Sequence, residues 1–169
     1  ALTGDGRVTV LQCRPLAVPA INEENAAPAA VGTDAEILLE GGVTASPGAG
    51  SGPVFLAART TDAPKFPSGA VLVVRQAAPH WATLIGRASA VVSEQGGFAG
   101  HLANVAREFG VPALFGCSEA MACLEATQEV TVDATRRKIY AGIIDGLQAP
   151  APKMTSPIAD SPVYRLLQK

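Results

Sequence analysis

A chain of 169 residues with 13 Lys and Arg against 15 Asp and Glu has a formal net charge of −2. It lacks the basic clusters and interleaved aromatics of a nucleic-acid surface, so no nucleic-acid partner is expected. At 48% hydrophobic and 17% charged residues it lies far from the composition of disorder, and its length suits one domain with flanking pieces. No apolar run approaches the roughly 18 residues of a membrane span and no basic stretch followed by an apolar one opens the chain, so a cytoplasmic location is expected.

Gly4-Asp5-Gly6 is turn chemistry, and residues 7–13 alternate as a strand. Residues 17–42 are rich in Ala, Pro, Glu and Asn without sustained periodicity, apart from a strand-like run at 36–39, and read as a linker. Val-rich runs bounded by Gly or Pro predict strands at 52–57, 70–75, 88–93, 113–115, 129–133 and 138–141. Helical spacing falls between them, at 81–87, 101–109 and 118–126. Strands alternating with helices predict an α/β fold with partly parallel pairing, closed by a hairpin-like end. Residues 148–169 carry Pro150, Pro152, Pro157 and Pro162 and read as a second linker or tail, which leaves 43–147 as the compact domain.

Cys13, Cys117 and Cys123 are odd in number and lack paired C-x-x-C spacing, and there are only two histidines, so no metal site is expected. Cys117 and Cys123 read as small buried apolar residues. His80 reads as a cap or surface histidine, and Trp81 as a core or interface anchor.

The stretch GGFAGHLANVAREFGVPALFG, residues 96–116, runs from a glycine-rich turn into a helix beginning at or near His101. Leu102, Val105, Ala106 and Phe109 form an apolar stripe that leaves His101 at the exposed start. First-turn N–H groups have no intrahelical partners, so an anion carried on His101 would be stabilised there. Gly96, Gly97 and Gly100 leave the approach open to a large phosphorylated partner. Ser93 and Glu94, next to this turn, are candidates for supporting contacts. Arg107 is six residues from His101, about 240° around the helix at roughly 100° per residue, so it should not reach the same anion and reads as structural or interdomain.

The pattern G-G-x-x-x-H followed by Ala-Arg-Glu, Gly-x-Pro-Ala and Gly resembles the phosphohistidine motif of the PEP-utilising enzymes, such as phosphoenolpyruvate synthase, pyruvate phosphate dikinase and rifampicin phosphotransferase. TASPGAGSGPVFLA, residues 44–57, is similar to the Ser-Pro-Gly-x-x-x-Gly entry of the same domain. VTVLQCRPL, residues 8–16, resembles the last strand of the family's ATP-binding domain. The resemblance covers residues 7 to about 147 and implies a swivelling β/β/α-type phosphohistidine domain. It further implies His101 as phosphoryl carrier, Gln12 and Arg14 beside an upstream Mg²⁺–ATP site, and a pyruvate-type acceptor domain elsewhere in a much longer protein. Neither the nucleotide site nor the acceptor site is complete here, so this chain alone should not turn over. A flexible linker of about 25 residues spans roughly 25–30 Å, enough for such a domain to relocate.

The family usually has Ser, Thr or Cys just before the histidine and often Thr two before, where this chain has Gly100 and Ala99. Regulation by phosphorylation at that spot is therefore not expected. Asn104 replaces the family's usual Ala, on the same helical face as His101, where it could orient the ring. Two alternatives stay open: a packing or sensing module that has lost phosphotransfer, and the carrier domain of an antibiotic or glucan phosphotransferase.

Overall fold

The run Val71-Leu72-Val73-Val74 is apolar on both sides, which suits a strand covered on both faces. In the computed structural model, which describes residues 35–144 together with Gly146 and Leu147, this run begins β4 (Val71–Gln76), and all four side chains are buried. The strands β3 (Ala49–Ala57) and β5 (Ala90–Gln95) flank it in parallel, and β6 (Ala113–Phe115) lies parallel beyond β5. The remaining strands, β1 (Ile37–Glu40), β2 (Val43–Ser46), β7 (Glu129–Asp133) and β8 (Lys138–Ala141), pair antiparallel. The full order is β1-β8-β7-β3-β4-β5-β6-β2.

One strand serves both halves of this sheet. Residues 49–53 of β3 pair with β7, and residues 54–57 pair with β4. Side chains alternate across β4, so Val71 and Val73 pack with Val130, Val132 and Ile139 of the antiparallel half, whereas Leu72 and Val74 pack with Leu84, Leu102 and Ala106 of the helices. The result is a β/β/α arrangement with two apolar interiors. Gly50 and Gly52 permit the crossing: a Cβ on Gly50 would lie 2.1 Å from the Ser89 carbonyl oxygen, and one on Gly52 2.3 Å from that of Gly69.

The helices are α1 (Ala82–Ile85), preceded by a 3-10 turn at Pro79–Trp81, α2 (His101–Phe109) and α3 (Ala120–Cys123). Their existence follows the spacing, but two are shorter than expected. Glu119 enters α3 with φ of 69° and Leu124 is already extended, so the helix expected over 118–126 is a single turn. Gly110, at φ of 65°, closes α2 in the left-handed region that glycine adopts without a Cβ penalty. Leu102, Ala103 and Ala106 are the buried face of α2; Phe109, expected in the stripe, is 62% exposed and lies against Gly86.

The strand-like run at 36–39 is β1, displaced by one residue to 37–40 and paired with β8, so the segment 17–42 expected as linker runs into the sheet. Residues 43–46, for which no strand was expected, are β2 and pair with β6. The strand read at 7–13, residues 17–34 of the linker, the segment 148–169, Gln12, Cys13 and Arg14 lie outside the described residues. Among the described residues, no helix is long and apolar enough to cross a membrane.

Candidate functional site

Parallel β4, β5 and β6 end at one edge of the sheet, where α/β folds commonly build their sites. From the end of β5 the chain passes through Gly96 at φ of 143°, and a Cβ there would come within 2.7 Å of the Ala77 methyl carbon. Gly96 is thus required by close packing against the chain leaving β4. Gly97 differs, because a Cβ on it would meet nothing within 4 Å. The turn closes when the Gly100 N–H donates to the Gly97 carbonyl at 3.1 Å, and Gly100, extended at φ of −69° and ψ of 159°, is the N-cap of α2.

His101 is therefore the first residue of α2 and is exposed. No side chain caps that helix end, so the orphan N–H groups of the first turn stay available to an anion. Among the described residues, no hydrogen bond engages the His101 ring. Gly96, Gly97, Gly100 and His101 lie in one turn leading into α2, whereas the Asn104 side chain is tied to Arg107: its Oδ1 accepts from Arg107 Nη2 at 2.6 Å. Ser93 is buried and donates to the Gln95 carbonyl at 2.7 Å. Glu94 accepts from the Met121 N–H at 3.0 Å and lies 3.6 Å from Arg75. Both secure the backbone around β5 and neither contacts the glycine turn.

Arg107 makes contacts that its sequence position does not suggest. Its Nη1 donates to the Ala45 carbonyl at 2.5 Å and its Nη2 to the Phe98 carbonyl at 3.1 Å, while the guanidinium lies 4.4 Å from the centroid of the Phe98 ring. Burial draws its pKa below the usual arginine value. Helix side chains lean toward the N-terminus, which brings the Arg107 head group back to the turn.

Beside this edge, a shallow recess of about 400 Å³ is rimmed by Arg59, Arg75 and His80, with Gln95 leading toward the turn. His80 is exposed and its ring is 4.5 Å from that of buried Trp81. Cys117 is buried, as expected; Cys123 is exposed, contrary to expectation, because α3 ends there. Among the described residues, no group of three or more His, Cys, Asp or Glu side chains could hold a metal ion.

Residues 66–137 match the family described as PEP-utilising enzyme, mobile domain. The phosphoenolpyruvate synthase of Aeropyrum pernix is 41% identical over 123 residues, 72% of this chain and 14% of that protein. That of Pyrococcus furiosus is 36% identical over 144 residues, 85% of this chain and 17% of that protein. A probable phosphoenolpyruvate synthase of Staphylothermus marinus is 36% identical over 129 residues, 75% of this chain and 15% of that protein. The chain spans less than a fifth of the length of each of these three relatives. With the motif around His101, the β/β/α arrangement and these matches in agreement, the chain belongs to the PEP-utilising enzymes, and its folded unit is their mobile domain.

Proposed function

We propose that this domain carries a phosphoryl group on His101 between a nucleotide-binding domain and a pyruvate-type acceptor domain of one longer cytoplasmic protein. The observation that carries the reading is His101 itself, exposed at the uncapped start of α2 behind a turn whose Gly97 leaves open space. In the loading step an imidazole nitrogen forms a bond to phosphorus. The bond from that phosphorus to the bridging oxygen of ATP breaks, and its electron pair leaves with the oxygen. First-turn N–H groups stabilise the negative charge of the carried group. Unloading reverses the exchange, with an acceptor oxygen as the new partner of phosphorus.

Mg²⁺ and ATP would be held by the neighbouring domain, with Gln12 and Arg14 beside them; the residues around His101 offer an anion cradle rather than metal ligands. The names of the relatives favour a phosphoenolpyruvate and pyruvate pair as acceptor chemistry over an antibiotic or a glucan.

The test is incubation of the complete protein with Mg²⁺ and ATP labelled separately at the β- and γ-phosphates, followed by alkaline quench and peptide mapping. Acid-labile, alkali-stable label on the His101 peptide, absent in His101→Ala, is the expected result. An ATP-binding protein that takes no label would instead be a packing module.

A further inference from the structure

We infer that Arg107 is a positioning residue for the carrier histidine, clamping the glycine turn to β2 and to the body of α2 so that His101 is presented in one orientation. The inference rests on the carrier reading and adds to it a residue that does not touch the phosphoryl group. Three acceptors on three different segments converge on one guanidinium: the Ala45 carbonyl of β2, the Phe98 carbonyl of the turn, and Asn104 Oδ1 of the helix. The Phe98 ring, 45% exposed, covers the cation at 4.4 Å.

The turn needs such a tether. Residues 97–100 include two glycines, which have the widest backbone freedom, and the hydrogen bond from Gly100 to Gly97 closes the turn upon itself without attaching it to the sheet. Arg107 supplies an attachment on the side of β2. The strand β2 is fixed in turn to the far hairpin, because Thr44 Oγ1 donates to the Ala134 carbonyl at 2.6 Å and the Gly48 N–H donates to Thr135 Oγ1 at 2.9 Å. This chain of contacts gives a physical reason for the Thr44–Gly48 segment and the His101 segment to occur together. A planar fork that serves several carbonyls at once is the property that separates arginine from lysine.

Arg107→Lys keeps the charge and most of the stem but not the fork. In the complete protein, deuterium uptake by residues 96–101 should rise in this variant while peptides from β4 and β7 keep wild-type uptake. The initial rate of His101 labelling should fall about tenfold or more, since small misplacements of a reacting group are costly, at an unchanged KM for ATP. Phe98→Ala, which removes the ring and leaves the three hydrogen bonds, should retain most of the labelling rate. Unchanged uptake at 96–101, a wild-type labelling rate in Arg107→Lys, or an equally large loss in Phe98→Ala each overturns the inference. Should wild-type protein take no label, the carrier reading fails by itself, and the uptake comparison still decides whether Arg107 holds the turn.

Discussion

Thr131 Oγ1 donates its single proton to the Gly142 carbonyl at 2.8 Å, so the Ser51 hydroxyl 2.9 Å away must donate to Thr131 rather than accept from it. The same oxygen accepts from the Ile144 N–H at 2.9 Å, which leaves this buried hydroxyl fully satisfied. One side chain thus joins β7 to β3 and to the chain beyond β8. Thr131→Val keeps the shape and strands three polar groups at once. A loss of about 2–3 kcal/mol is expected, read as a lower denaturant midpoint at unchanged slope.

Two glycines should respond in opposite ways. Gly50→Ala would drive a methyl into the Ser89 carbonyl on a backbone that cannot yield without parting β3 from its neighbours, and should cost about 3 kcal/mol. Gly97→Ala enters open space and should change stability by less than about 0.5 kcal/mol. Its effect, if the carrier reading holds, is on phosphoryl transfer alone. Chemical denaturation of the two variants beside labelling assays of the same variants separates these outcomes.

Burial pushes the Cys117 thiol up to about 11, whereas Cys123 is exposed. At pH 8 a thiol reagent should modify Cys123 in the native protein and reach Cys117 only after unfolding, as peptide mapping would record. The sign of the pH effect follows from the raised value. Between about pH 8.5, where an ordinary thiol titrates, and about 11, the unfolded chain sheds this proton while the folded one retains it, so stability falls across that window. Cys117→Ala should be less stable at neutral pH and lose less between those limits.

Local signals were sufficient for the parallel strands, for α2 and for the place of His101, because continuous valine runs and a glycine turn before an apolar stripe act over short range. What escaped were elements decided by distant partners. Val43–Ser46 contains a Ser next to Pro47-Gly48 and looks like a turn, yet β6 pairs with it. The strand-like run at 36–39 was legible, but not that β8 would make it an edge of the sheet rather than part of a linker. The spacing of Arg107 along the helix says nothing of its contact with β2, because a carbonyl 62 residues away lies beyond any periodicity. Phe109 fitted the stripe by position, and its exposure follows from a helix that stops one residue later at Gly110.

The Ala141 N–H donates to the Glu36 carbonyl at 2.9 Å, so the path into β1 and the path out of β8 touch at one point on the border of the sheet. The first and last strands in chain order are thereby held to each other, by this bond and by the pairing of β1 with β8, like the two covers of a closed book. Reorientation would then carry the whole β/β/α body, turn and histidine included, without breaking a strand pair.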